Sequence, residues 1–171
     1  AREVAAKEAV RLTATQLAES NGMTMAAVVQ RISMLAGNNK IVVTDVGQNQ
    51  MFAARFSYFA NRRSWISSGG LGTMGYGLPA AVGAKVANPD RTVIAFMGDG
   101  GFQMNIQELG TILQSNVGVK MVLMNNSWLG MVRQWQELFY DKRYSFTHLA
   151  NPDFQKVAQA YGIPSARVTS L

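Results

Sequence analysis

Cysteine is absent from this chain of 171 residues, which excludes disulfide staples and thiolate metal sites. Histidine occurs once, as His148, far along the sequence from the polar clusters described below, where it reads as a structural or surface residue. Charged residues are sparse, at 15%, and no apolar stretch reaches the length needed to span a bilayer. The opening Ala1-Arg2-Glu3-Val4 has neither an initiator methionine nor a signal-peptide pattern. It reads as the start of an excised or processed piece, and a cytoplasmic location is the expectation. What is present is a hydrophobic fraction of 48%, enough for an ordinary globular domain with a proper core. The net charge of +6 raises nucleic acid as a partner. The basic residues are scattered, however, with only the short pairs Arg62-Arg63 and Lys142-Arg143 and no stripe interleaved with aromatics. Neither nucleic acid nor a membrane is expected as a partner. A patch drawing anionic substrates is a secondary reading of the charge.

Two apolar runs, Thr92–Met97 and Val119–Met124, read as buried strands of a parallel sheet. Gly98-Asp99-Gly100 follows the first, and 24 residues later Asn125-Asn126 follows the second. Between them, Phe102, Ile106, Leu109, Ile112 and Leu113 recur at helical spacing, predicting one helix over 102–115. Strand, helix and strand joined by a right-handed crossover place both tips on one sheet edge, where Asp99 and Asn126 can converge as oxygen ligands. A carboxylate and a carboxamide suit a hard divalent ion that fills its shell with water and phosphate oxygens. The helix start after Gly100 adds free N–H groups for an anion. The local reading is a Mg2+-diphosphate site. The alternative, two tight turns without a ligand, stays open at this level.

The remaining chain follows the same alternation. Residues 1–36 form an N-terminal helical arm and a lead-in helix, with Thr24 able to cap a helix through Leu35. Residues 37–171 form the domain proper. Ile41–Thr44 is a strand with Asp45 at its tip, a short helix spans Gln50 to Phe56, and Trp65-Ile66 is a brief strand. Leu78 to Ala87 is a closely packed helix, 127–146 mixes helix and loop, and Asn151-Pro152-Asp153 starts a helix through Ala160. The pattern predicts an α/β fold, a doubly wound parallel sheet with helices on both faces and its ligand beyond the carboxyl ends of the strands. Gly70-Leu71-Gly72-Thr73-Met74-Gly75 also fits the dinucleotide fingerprint and proposes NAD. Against it stand a short, polar preceding strand and Pro79, which would interrupt an early helical turn.

Gly98-Asp99-Gly100 with Asn125-Asn126 resembles the thiamine-diphosphate fingerprint of the decarboxylase and carboligase superfamily. Four ordered stretches, Asp45–Met51, Ser68–Gly75, Met104–Leu109 and Leu129–Trp135, resemble the acetohydroxyacid synthase (acetolactate synthase) catalytic-subunit family. The resemblance implies thiamine diphosphate and Mg2+ as cofactors, with FAD bound mainly by other parts of a longer enzyme. It makes this chain the C-terminal, diphosphate-binding third. It implies that Asp99, the Asn126 side chain and the Trp128 main-chain oxygen ligate Mg2+. Gln48, Asn49, Gly100 and Gly101 would contact the diphosphate, and the Gly72 carbonyl would accept from the aminopyrimidine. Met74 would wedge beneath the cofactor, Gly130 and Met131 would line its thiazole side, and Trp135 would shape the substrate channel.

The implied reaction decarboxylates pyruvate and condenses the two-carbon unit with a second 2-keto acid, pyruvate or 2-ketobutyrate, in branched-chain amino-acid biosynthesis. A homodimer or tetramer and a regulatory small subunit are the expected partners. No catalytic residue is expected within the chain, which should be inactive alone. The family often has His where Asn49 stands and Ser where Gly101 stands. Pyruvate oxidase, benzoylformate decarboxylase and glyoxylate carboligase types share the metal motif and remain alternatives, as does a non-catalytic interaction module.

Overall fold

The computed structural model describes residues 23–170. The predicted helix over residues 1–20 lies outside the described residues. Four parallel strands, β1 (Lys40–Thr44), β2 (Trp65–Ser67), β3 (Thr92–Gly98) and β4 (Val119–Met124), form one sheet in the order β2-β1-β3-β4. All five residues of β1 and the five central residues of β3 are buried, which is why both read as continuous apolar runs rather than alternating ones.

Helices cover both faces. On one side α1 (Met25–Leu35) and α2 (Gln48–Phe56) pack Ala26, Val29, Ala53 and Phe56 against Val42, Ile94 and Phe96. On the other, α3 (Gly77–Ala87), α4 (Asp99–Met104) and α5 (Glu108–Ser115) pack Leu78, Ala81, Phe102, Leu109 and Ile112 against Ile41, Val43, Val93, Ala95 and Met97. The odd and even residues of one strand thus serve separate cores, the doubly wound arrangement expected. The amphipathic α6 (Gly130–Phe139) and short α7 (Phe154–Ala160) complete the chain, and neither has a buried residue. Thr24 caps α1 by accepting from Ala27 N–H at 3.2 Å, and Asp153 caps α7 through Gln155 and Lys156 N–H.

Two expectations need correction. The helix predicted over 102–115 is two helices, the first beginning at Asp99 itself, broken over Asn105–Gln107. The Asn105 side chain turns away to donate to Gly75 O at 2.7 Å, and i to i+3 bonds carry the chain across the break. Pro79 does not interrupt a helix; it sits in the first turn of α3, where a missing N–H leaves no bond unmade.

Several cations beside the sheet are taken up by carbonyl groups. Lys40 donates to Gly37 O at 2.7 Å, with burial lowering its pKa, and Lys85 reaches Pro89 O and Arg91 O. Arg91 ties Lys40 O and Ser64 Oγ, both at 2.6 Å.

The two-sided burial of β3 sets a stability test. Phe96→Ala should cost about 3–5 kcal/mol in urea unfolding. Lys120→Ala, at an exposed position of β4, should stay within about 0.5 kcal/mol. Similar losses at both positions would show that β3 is not the core strand.

Candidate functional site

The ladder between β3 and β4 pairs Gly98 with Met124, so the next residues, Asp99 and Asn125, leave the sheet side by side. β1 ends two steps lower, with Thr44 opposite Phe96, and Asp45 N–H donates to Phe96 O at 3.0 Å. The chain leaves β1 for β2 on one side and reaches β3 on the other. The carboxyl ends of β1 and β3 therefore flank the switch point where ligands of such sheets bind. A cavity of about 200 Å3 opens there. All twelve residues singled out in the sequence line it: Gln48 and Asn49 after β1, Gly72 and Met74 after β2, Asp99, Gly100 and Gly101 after β3, and Asn126, Trp128, Gly130, Met131 and Trp135 after β4. Its volume is below the roughly 300–1,000 Å3 of a pocket that encloses a whole small molecule. It suits one end of a larger ligand.

Asp99 is buried, 2% exposed, and no lysine or arginine among the described residues pairs with it. Its Oδ2 accepts from Ser127 N–H at 2.7 Å and Asn151 Nδ2 at 2.6 Å, while Oδ1 accepts only from Gly100 N–H at 3.1 Å. The Asn125-Asn126-Ser127 turn carries its own side-chain bonds, Asn125 Oδ1 to Ser127 N–H and Asn126 Oδ1 to Trp128 N–H. These hold Ser127 at φ 60, a conformation costing of order 1–3 kcal/mol. Among the described residues no three His, Cys, Asp or Glu side chains group as a metal site. The available oxygens are one carboxylate, one carboxamide and a main-chain carbonyl. That set suits Mg2+ sharing its shell with phosphate, because a buried unpaired carboxylate favours a cation and so few protein ligands leave positions open.

The amides around the cavity fit an anionic group. Gln48 and Asn126 crowd Gly130, where an added Cβ would meet Gln48 Cδ at 2.9 Å and Asn126 Nδ2 at 3.1 Å. Asn49 Nδ2 lies 3.1 Å from the corresponding point on Gly98, and Asn49 Oδ1 is buried without a hydrogen-bond partner. That oxygen is an orphaned acceptor, which costs about 1–3 kcal/mol and calls for a donor; the group of Asn49 that suits an anion is its Nδ2. Gly72 and Gly75 take positive φ, 63 and 84, so the turn that presents Met74 needs glycine at both.

Residues 45–171 match the family described as thiamine pyrophosphate enzyme, C-terminal TPP binding domain. The chain belongs to that family. The cofactor is thiamine diphosphate under its other name. The TPP-binding domain is 52% identical over 145 residues to the acetolactate synthase large subunit of Cyanidium caldarium, covering 84% of this chain and 24% of that protein. It is 58% identical over 127 residues to the acetolactate synthase of Arthrospira platensis, covering 73% and 22%. The matched part of the chain thus spans under a quarter of these relatives. The solved thiamine diphosphate-dependent 4-hydroxybenzoylformate decarboxylase of Rhodococcus jostii RHA1 superposes with a TM-score of 0.80 at 26% identity, covering 88% of this chain and 28% of that one. The glycine-rich turn therefore belongs to a TPP-binding domain, and the NAD reading falls.

Sequence reasoning missed three residues of the TPP-binding domain. Asp45, fully buried, accepts from Val46, Gly75 and Gly77 N–H at 2.8, 3.2 and 2.9 Å, fixing the turn that carries Met74. Its place at a strand tip was the available signal. Asn105 and Asn151 gave none beyond a turn-forming residue type. His148 is distant only in sequence: it bridges Trp128 as an antiparallel pair, with ring centroids 5.0 Å apart, outside the cavity lining. Behind Trp128, the Arg133 guanidinium lies 4.1 Å above the ring and pairs with Glu137 at 3.4 Å. The Tyr144 hydroxyl donates to Glu137 at 2.6 Å, lowering the pKa of the Glu137 carboxyl.

Asp45 also explains Gly101. An added Cβ there would meet Asp45 Cγ at 2.6 Å. Gly101→Ser should cost about 1–3 kcal/mol. The cost should shrink in an Asp45→Ala background, with a coupling of about 0.5–3 kcal/mol in a double-mutant urea cycle. Additive costs would mean that the carboxylate does not set the identity of residue 101.

Proposed function

We propose that this domain holds the diphosphate end of thiamine diphosphate through Mg2+ in an acetolactate synthase, which decarboxylates pyruvate and joins the two-carbon product to a second 2-keto acid. One observation carries the binding reading. The register that pairs Gly98 with Met124 brings Asp99 and the Asn125-Asn126 turn to one cavity, whose remaining polar lining is amide and glycine backbone. Identities of 52% and 58% to acetolactate synthases, against 26% to a decarboxylase of the same cofactor, support the choice of reaction.

Asp99, Asn126 Oδ1 and the Trp128 carbonyl hold Mg2+ in this reading. Gln48 and Asn49 amides and the Gly100 and Gly101 N–H groups contact diphosphate oxygens. Met74 shapes the apolar floor, with its Cε 3.9 Å from the point a Cβ on Gly100 would occupy, and the Gly72 carbonyl orients the aminopyrimidine. Gly130 and Met131 face the thiazole. Trp135, half-exposed at the cavity edge, narrows the approach of the acceptor keto acid and favours 2-ketobutyrate. Thiamine diphosphate, when bound, supplies the carbon nucleophile and the electron sink, and the protein supplies orientation and exclusion of water. A regulatory small subunit fits the large-subunit name of the relatives, and FAD belongs to other parts of the enzyme.

Thermal unfolding with thiamine diphosphate and Mg2+ tests the site. At a ligand concentration of 100 times Kd the folded state gains about 2.7 kcal/mol. The rise in Tm should require both ligands and vanish in Asp99→Ala; a rise with NAD alone would overturn the reading. The reaction is tested by products of the complete gene product, where acetolactate is expected and acetate or tartronate semialdehyde would reassign it. The 171 residues alone should form no acetolactate, because their cavity encloses only one end of the cofactor. Turnover by them would refute this.

A further inference from the structure

Asn151 lies outside the cavity lining, yet its carboxamide touches both strand tips that bear the oxygen donors. Its Nδ2 donates to Asp99 Oδ2 at 2.6 Å and to Asn125 Oδ1 at 2.9 Å. Its Oδ1 accepts from Gln103 Nε2 at 3.0 Å, and the same Gln103 amide donates to Asp99 O at 3.1 Å. Gln103 stands one turn beyond Asp99 on α4, so a chain of two carboxamides runs from the backbone of Asp99 to its own carboxylate. The segment that delivers Asn151 is fastened along the loop bearing Asn126 and Trp128. Leu129 N–H donates to Thr147 O and Leu149 N–H to Ser127 O, both at 2.8 Å, flanking the Trp128–His148 bridge.

These bonds are distributed unequally over the carboxylate. With Ser127 N–H at 2.7 Å and Asn151, Oδ2 has two donors for its two lone pairs. Oδ1 has one donor, the adjacent Gly100 N–H, and keeps a lone pair. We propose that Asn151, backed by Gln103, is a positioning residue for the metal: it turns Asp99 so that Oδ1 faces the cation, and it ties the β3 and β4 tips at one separation. The residue type follows from the chemistry. A neutral amide orients the carboxylate without changing its charge, whereas a lysine there would neutralise it and an aspartate would repel it. This inference rests on the Mg2+-diphosphate reading of the site.

The test is a Mg2+ titration of the complete gene product at saturating thiamine diphosphate, followed by tryptophan fluorescence, since Trp128 and Trp135 both line the cavity. Removing the partner that orients a metal ligand typically weakens metal binding about 10- to 100-fold. Asn151→Leu should therefore raise the half-saturating Mg2+ concentration by about that factor. The plateau signal in excess Mg2+ and the Tm of the metal-free protein should stay near their original values. Gln103→Leu should shift the midpoint in the same direction by less. A merely structural Asn151 would lower the metal-free Tm and leave the midpoint in place, and that result overturns the proposal. If Asn151→Leu fails to fold, Gln103→Leu decides, a raised midpoint supporting the proposal and an unchanged one overturning it. If the unsubstituted protein shows no response to Mg2+, the site reading itself falls and this inference with it.

Discussion

The arrangement around the cavity depends on a carboxylate that faces no cation. Asp45 is fully buried at the tip of β1, and its charge is met by the N–H groups of Val46, Gly75 and Gly77. Burying an ion is costly, and backbone N–H groups offset that cost only if the chain that carries them comes to the ion. The turn after β2 therefore folds over β1, bringing Met74 above the switch point. Asn105 closes the same clamp from the other side by donating to Gly75 O at 2.7 Å. Gly75 is thus held at its N–H by one core strand's tip and at its carbonyl by the break between α4 and α5.

That constraint changes how the glycines are understood. Gly100 and Gly101 read in the sequence as room for a phosphate. Gly101 is also required by the protein itself, since the Asp45 carboxylate occupies the space a side chain would take, and a Cβ added at Gly77 would likewise meet Asp45 N at 2.8 Å. Gly100 is pressed too, since a Cβ added there would meet Leu129 Cδ2 at 2.8 Å and Leu149 Cδ1 at 3.2 Å. A side chain at position 101 would therefore need the Asp45 carboxylate, as it is placed here, to shift.

The strands were legible because β1 and β3 are buried on both faces, which leaves only apolar runs compatible with their positions. The convergence of Asp99 and Asn126 was legible because adjacent parallel strands permit nothing else for their tips. What the sequence concealed depends on contacts between distant residues. Apolar spacing from Phe102 to Leu113 is truly helical, and at the break the Asn105 amide bonds Gly75 O, a partner thirty residues away that the spacing could not show. Asn-Pro-Asp does start a helix, as Asp153 shows, but that local role hides the bond from Asn151 to a carboxylate 52 residues away. Pro79 misled for the opposite reason: a rule for helix interiors was applied to a first turn.

Under the proposed Mg2+-diphosphate reading, the distribution of charge requires cation and anion to enter this cavity together. The buried Lys40 and the half-buried Arg91 are occupied elsewhere, Lys40 on Gly37 O and Arg91 on Lys40 O, while Arg133 lies over the outer face of Trp128. Among the described residues no lysine or arginine lines the cavity, and the one ionisable group that does is Asp99. A diphosphate arriving alone would meet a carboxylate of its own sign in a partly dry space, where repulsion is weakly screened. A magnesium ion arriving alone would find three protein oxygens at most and hold on to its water. Each makes the other's binding favourable. In that reading the amides of Gln48 and Asn49 would add direction to an attraction that they could not supply by themselves. A net charge of +6 spread over the surface contributes to none of this. What matters in that reading is that the cavity's single negative charge would need a dication to join it to phosphate.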